Sequence, residues 1–452
     1  MSAVRGVPDI EFETAPVGPL AGSLQVPGDK SISHRAVMLG AIAEGESTVT
    51  GFLSGSDCLA TVAAMRAMGV HTAESGPGML RIHGAGLRGL QAPAGPLDLG
   101  NSGTSMRLMA GLLAGQAFDT TLTGDSSLSV RPMRRVTGPL GQMGAAIETS
   151  DDGTPPVKIS GGRRLSGIDY EMPVASAQIK SSLLLAGLYA HGTTRIREPA
   201  STRDHTERML GGFAYRVERR DDWVSVMGGG KLCAQRVDVP GDISSAAFFM
   251  VAATIVPGSD LLLTNVGVNP TRSGAITILR QMGARIEMQN ERQASGEPVA
   301  DIRVRSAQLQ GIDVPRGLVP LAIDEFPILF VAAACARGET RLSGAAELRV
   351  KESDRIEVMA DGLAACGIRA RPAPDGMAVK GGKLCGGEVD SHGDHRVAMA
   401  FAVAGARAQG PIRIGRCANV DTSYPGFVDD ARDVGLQLTR ISHHDDEPSL
   451  DL

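Results

Sequence analysis

Gly28-Asp29-Lys30-Ser31-Ile32-Ser33-His34-Arg35 (GDKSISHR) runs directly into an apolar stretch, Ala36 to Ala43. The apolar run reads as a buried helix, and the polar octet supplies its start. The first turn of a helix carries unpaired N–H groups and the positive end of the dipole, so an anion can dock there, with Lys30 and Arg35 as counter-charges. An ordinary cap with solvated charges uses the same residue types. Repetition along the chain decides between the two readings.

Five further apolar helices open on comparable stretches: Asn101 to Arg107 (NSGTSMR), Ser176 to Ser181 (SAQIKS), Asp242 to Ser245 (DISS), Asp324 to Pro327 (DEFP) and Asp394 to Arg396 (DHR). All six are expected to be capped helix N-termini. A second, amphipathic helix ending in glycine recurs at Gly69, Gly144, Gly283, Gly367 and Gly435, and more loosely at Gly212, at intervals of roughly 70 residues. A polar loop, an Ala- and Leu-rich helix and a short strand precede each ending, so the chain reads as six copies of a βαβαββ unit.

Six units group most simply into two lobes of three. The near-identical tetrapeptides Val26-Pro27-Gly28-Asp29 and Val239-Pro240-Gly241-Asp242 suit sharp changes of chain direction and mark the crossings. The expected division is residues 29–239 as one lobe, residues 1–28 plus 240–445 as the other, and 446–452 as a tail. The acidic end, ISHHDDEPSLDL, reads as disordered, with metal binding by His443 and His444 as a minor alternative. Facing lobes would aim six positive helix ends into one cleft. Two loops add charge there, GDSSLSVRPM with Arg131 and LRVKESDR with Lys351, Glu352, Asp354 and Arg355. Such a cleft suits strongly anionic small molecules.

Composition narrows the alternatives. The 452 residues carry a net charge of −5, 42% hydrophobic content and 3% aromatics, with no Lys/Arg block, which argues against a nucleic-acid partner. The N-terminus lacks an apolar signal region, and the longest apolar runs (Ile328 to Ala336, Leu183 to Ala190) are too short to span a bilayer, so a cytoplasmic location is expected. Six scattered cysteines form no CxxC, and neither zinc nor another metal is expected. Gly84 to Gly89 matches GxGxxG, but the following LQAPAGP cannot open a helix; GxxxxGK[ST] and GxSxG are absent.

GDKSISHR, LGNSGTSMR, GDSSLSVRPM, ASAQIKS, TRDHTERML, VPGDISSAAFF, VNPTR, IDEFPIL, ELRVKESDR and GDHRVAMAF, in this order, resemble the 5-enolpyruvylshikimate-3-phosphate (EPSP) synthase family over about residues 15 to 440, most closely its bacterial class II branch. The resemblance implies a two-lobe inside-out α/β barrel of six βαβαββ units. It implies a monomer without metal or organic cofactor that moves the enolpyruvyl group of phosphoenolpyruvate to the 5-hydroxyl of shikimate 3-phosphate and releases phosphate.

Carried over residue by residue, the resemblance assigns Lys30 to both substrates and Ser31 and Arg35 to the carboxylate end of shikimate. Ser176 and Gln178 would meet the shikimate phosphate and ring, Gln178 also phosphoenolpyruvate, with Arg203 nearby. Gly103, Arg131, Arg355 and Arg396 match positions that hold phosphoenolpyruvate. Asp324 matches the acid that contacts the hydroxyls and accepts the proton of the attacking one. Lys351 and Glu352 would flank the reacting carbon, with Lys351 also among the shikimate 3-phosphate contacts; Glu352 or Lys30 would serve as acid and base at that carbon. The chemistry asks for these types independently: each substrate carries a carboxylate and a phosphate of about −1.5 to −2, and planar Arg grips both groups. The chain departs from class I members at Leu108, Glu347 and Thr422. Glyphosate, the family's inhibitor, is expected to act on this chain because Gly103 is not Ala. Two other readings are a UDP-N-acetylglucosamine enolpyruvyl transferase, disfavoured because its loop Cys would fall near Ser126, and a non-catalytic repeat scaffold.

Overall fold

A computed structural model describes residues 9–443. Among these, twelve α-helices form six consecutive pairs: α1 (Lys30–Ile42) and α2 (Ser56–Ala67), α3 (Gly103–Leu113) and α4 (Arg134–Gln142), α5 (Ala177–Gly187) and α6 (His205–Gly212), α7 (Ile243–Ile255) and α8 (Gly274–Gln281), α9 (Phe326–Ala334) and α10 (Arg355–Ala365), α11 (His395–Gly405) and α12 (Phe427–Asp433). The first helix of each pair is the buried one. Every residue of α7 and of α9 is buried, as expected of helices that are apolar on all sides.

The second helices end as their glycines require. Gly69, Gly144, Gly283, Gly367 and Gly435 all hold a positive φ, between 78° and 104°, which lets the chain leave the helix at low cost. The looser ending departs from this pattern: Gly212 is still helical, and Ala214 takes the left-handed position with φ 61°.

Each helix pair faces its own sheet. Leu97–Asp98 runs parallel to Thr120–Thr123, which pairs antiparallel with Val157–Ser160, itself antiparallel to Ala146–Glu148. The same order joins Asp169–Glu171, Thr193–Arg197, Trp223–Met227 and Val217–Arg220. Other units borrow strands from a distance. Arg236–Asp238 supplies the parallel strand beside Glu44–Thr50, and Ala21–Leu24 the one beside Asp260–Gly267. Asp9–Ala15 lies between Ile412–Gly415 and Gln437–His443. The unit of α9 has three regular strands; bridges Gln310↔Arg337 and Asp313↔Arg341 stand where its first strand would be.

The buried apolar side chains form two clusters. One draws on residues between 32 and 239, the other on residues 10–26 together with 243–438. In the second cluster α7, α9 and α11 pack on one another; in the first, α3 packs on α5 with α1 beside it. The first helices of the pairs thus lie inside, while no sheet closes on itself among the described residues. No helix there is long and apolar enough to cross a membrane. Residues 1–8 and 444–452, which include His444 and the expected tail, lie outside the described residues.

The two VPGD segments cross side by side. Asp29 N donates to the Pro240 carbonyl at 2.8 Å and Asp242 N to the Pro27 carbonyl at 2.9 Å, with Gly28 bridged to Gly241. A Cβ on Gly28 would fall 1.8 Å from the Gly51 carbonyl oxygen, so only glycine fits this crossing. Buried Arg272 reaches Asp29 at 3.0 Å and Asp242 at 3.2 Å, tying both crossings together.

Candidate active site

Five of the six expected caps form. Side-chain oxygens of Asp29, Ser102, Ser176, Asp242 and Asp394 accept from the N–H of Ile32, Ser105, Ile179, Ser244 and Arg396. The sixth does not: Glu325 stands at the cap of α9 without a side-chain bond, and Pro327 lowers the need for one because it has no N–H. The Asp324 carboxylate turns elsewhere. It pairs with Arg203, with Lys351 at 3.3 Å and with Arg355 at 3.4 Å.

These groups line one cavity between the two apolar clusters. From the first side come Lys30, Ser31, Gly103, Arg131, Ser176, Gln178 and Arg203; from the second come Asp324, Lys351, Glu352 and Arg396. Stretches far apart in sequence meet because the buried helices of each half start toward the same space.

Arg35 and Arg355, for which the resemblance implies substrate contacts, stand outside the cavity lining. The Arg35 guanidinium turns inward, donating to Thr206 Oγ1 at 2.7 Å, Ser181 Oγ at 2.8 Å and the Ser31 carbonyl at 2.9 Å. Burial pushes its pKa down to about 10. Arg355 is fully buried behind the wall and donates to Asp394 Oδ2 at 2.7 Å and Glu352 Oε2 at 2.6 Å, as well as to Asp324. It therefore orients two wall carboxylates at once. Leu108 is buried in the core and Thr422 also lies off the cavity wall, whereas Glu347 lines it, 3.1 Å from Lys351.

Charge is unevenly compensated. Burial alone would raise the Asp324 carboxyl, but Lys351, Arg203, Arg396 and Arg355 hold it well below the usual carboxylate range. Glu352 is likewise pushed up by burial and pulled well below by Arg355, Arg131 and their neighbours. Lys30 pairs with Asp57. Arg131 reaches Glu352 across the cavity at 3.6 Å, and its buried Nε has no hydrogen-bond partner. His395 is pushed down to about 3 by burial and by Lys30, so it is neutral at physiological pH.

Such a wall can grip several anionic groups and holds carboxylates able to take up protons once bound anions offset the cations. Among the described residues no cluster of three or more His, Cys, Asp or Glu could hold a metal ion.

The sequence reading missed further wall residues. Arg107 stands one turn beyond Gly103 on α3 and donates to Gln178 Oε1 at 2.8 Å; the i, i+4 spacing could have revealed it. Arg272 sits in the quoted VNPTR, and Asp242 and His395 begin two of the quoted helix starts. Asp57 and Arg135 carry no local signature.

A family model described as EPSP synthase (3-phosphoshikimate 1-carboxyvinyltransferase) matches residues 14–431. The chain is 64% identical over 430 residues to a 3-phosphoshikimate 1-carboxyvinyltransferase of Methylococcus capsulatus, covering 95% of this chain and 98% of that protein. It is 56% identical over 435 residues to the protein of the same name from Legionella pneumophila, covering 96% of this chain and 100% of the other. A solved EPSP synthase structure from Acinetobacter baumannii superposes with a TM-score of 0.86 at 54% identity, covering 96% of this chain and 100% of that one. The enolpyruvyl transferase NikO from Streptomyces tendae shares the fold alone, with a TM-score of 0.79 at 17% identity over 97% of this chain and 100% of that one.

Proposed function

The chain belongs to the EPSP synthase family, the 3-phosphoshikimate 1-carboxyvinyltransferases, and on that premise we propose how its cleft moves the enolpyruvyl group of phosphoenolpyruvate to the 5-hydroxyl of shikimate 3-phosphate. The observation that carries the reading is the single cavity in which Lys30, Gly103, Arg131, Gln178 and Arg203 from one side face Asp324, Glu352 and Arg396 from the other. Shikimate 3-phosphate lies along Lys30, Ser31, Ser176, Gln178, Arg203 and Lys351. Phosphoenolpyruvate lies between Lys30, Gln178, Gly103, Arg131 and Arg396. Arg35 and Arg355 serve from behind the wall, Arg35 by holding the Ser31 carbonyl and Arg355 by aiming Asp324 and Glu352.

In the addition step the 5-hydroxyl oxygen bonds to C2 of phosphoenolpyruvate and gives its proton to Asp324, while the C2–C3 π pair takes a proton from Glu352 or Lys30. In the elimination step that C3 proton returns and the bond from C2 to the phosphate oxygen breaks, yielding the enol ether and phosphate. Substrate anions supply what the free site lacks. By neutralising Arg131, Arg203 and Arg396 they relieve part of the depression of both carboxyls, while Lys351 and Arg355 keep the rest, so Asp324 becomes a better base and Glu352 a better proton carrier.

The same reading takes residues 29–239 as one rigid lobe and 1–28 plus 240–445 as the other, hinged at the paired VPGD crossings and working as a cytoplasmic monomer. The two apolar clusters support that division. Phosphate release measured with each substrate alone and with both together tests the function. Release only with both is expected; release with phosphoenolpyruvate alone, or none, would overturn it.

A further inference from the structure

We propose that Arg135 is a capture residue for phosphoenolpyruvate, holding its phosphate at the rim of the cleft before it passes inward to Arg131 and Gly103. The inference rests on the proposed placement of phosphoenolpyruvate at this end of the cavity. Arg107, Arg131 and Arg135 gather there on the same wall. Their fields add: burial first, then Arg131 and Arg135, push the Arg107 guanidinium down to about 10.

Lys30, Arg203 and Arg272 on the same wall have close carboxylate partners, Lys30 with Asp57, Arg203 with Asp324, Arg272 with Asp29 and Asp242. This end is different. Arg131 reaches Glu352 only at 3.6 Å, and that carboxylate is held at 2.6 Å by Arg355, while Glu347 is engaged by Lys351. The Arg131 Nε is buried without a partner, and the exposed Arg135 guanidinium has neither a hydrogen bond nor an ion pair among the described residues.

The position is also costly for the helix that carries it. Arg134 and Arg135 open α4, which has no acidic residue in its first turn and no side-chain cap, so both cations stand against the positive end of the dipole. Arg134 turns to the Asp151 carbonyl, away from the cavity wall. Arg135 gains nothing comparable from the fold. An anion arriving from solvent compensates it, and a low-dielectric cleft lined by one sign of charge raises the rate of such arrivals.

Steady-state phosphate release at varied phosphoenolpyruvate and saturating shikimate 3-phosphate, at low and high ionic strength, tests this. Arg135→Gln is expected to lower kcat/KM for phosphoenolpyruvate roughly three- to tenfold at low ionic strength and to flatten its salt dependence, with a smaller fall in kcat. Arg135→Lys should restore most of the loss. Arg134→Gln removes the same net charge one residue away and should behave as the parent. The proposal is overturned if Arg135→Gln keeps the parental kcat/KM and salt slope, if Arg134→Gln loses as much, or if kcat falls as far as kcat/KM. A parent that releases no phosphate overturns the underlying functional reading, whereas an active parent with an unmoved Arg135→Gln overturns only this inference.

Discussion

Arg203 donates to the carboxylate of Asp324 across the cleft, joining side chains anchored in different apolar clusters. The pair helps to set the protonation of the proposed base, after Lys351. Arg203 is one of four cations that hold Asp324 below the usual carboxylate range, so removing it lets the carboxyl rise. A base is active when deprotonated. Arg203→Gln should therefore move the acidic limb of the kcat/KM profile for shikimate 3-phosphate to higher pH. A limb that stays in place, or moves to lower pH, would show that Arg203 does not set the charge of Asp324.

Buried Arg355 and Asp394 make a second testable pair. Both are fully enclosed, and Arg355 Nε lies 2.7 Å from Asp394 Oδ2. Burial would raise the Asp394 carboxyl, but Arg355 and its neighbours hold it below its ordinary value of 3.8. Its stabilising contribution is thus complete above that value and is lost as pH falls through the depressed one. Asp394→Asn leaves a buried guanidinium under-compensated, at a cost of about 3–5 kcal/mol. Denaturant unfolding should show that loss at neutral pH and a smaller gap between parent and variant in acid. A gap that widens in acid would contradict the assignment.

The two arginines that flank Asp324 should separate by what they damage. Arg396 lines the cavity and donates to the Asp324 carbonyl at 3.1 Å, so Arg396→Gln should weaken phosphoenolpyruvate by about 2–5 kcal/mol and leave binary binding of shikimate 3-phosphate unchanged. Arg355 lies behind the wall. Arg355→Gln should instead lower kcat through the misplacement of Asp324 and Glu352, together with stability. Titration calorimetry and steady-state kinetics on the two variants distinguish these losses, and matched losses would dissolve the distinction.

What could be read from the sequence was the local chemistry. Asp29, Ser102 and Ser176 accept from N–H groups three residues away, and the glycines after the outer helices meet a backbone demand at their own positions. Direction of long side chains was not legible. Arg35 and Arg203 are the same residue type, each in a quoted motif, yet one turns to Thr206 and Ser181 while the other reaches Asp324, because contacts with distant segments choose the rotamer. Asp324 looked like another helix cap for the same reason. Cations contributed by other segments, Arg203 and Lys351 among them, draw it into the cleft. The missing regular strand in the unit of α9 is also non-local, since two isolated bridges to 337 and 341 replace it.

Gly103 gives the sharpest test of the cleft's shape. A Cβ there would lie 2.9 Å from Arg107 Nη1, 3.2 Å from Arg131 Nη1 and 3.7 Å from Leu128 Cδ1. The two nearest atoms are the ends of long side chains, so the protein can accommodate the methyl group. Displacing Arg107 stretches its 2.8 Å bond to Gln178 and moves guanidinium groups into the space proposed for phosphoenolpyruvate. Glyphosate, longer than the substrate between its anionic ends, has less room to adjust. Gly103→Ala should weaken phosphoenolpyruvate modestly and glyphosate by roughly 1–3 kcal/mol more, the usual cost of overfilling a packed site. The parent should be sensitive, since neither Leu108 nor Thr422 lines the cavity. Inhibition constants for glyphosate set beside Michaelis constants for phosphoenolpyruvate decide the matter: equal losses of both ligands, or a parent already resistant, would place the discriminating contact elsewhere.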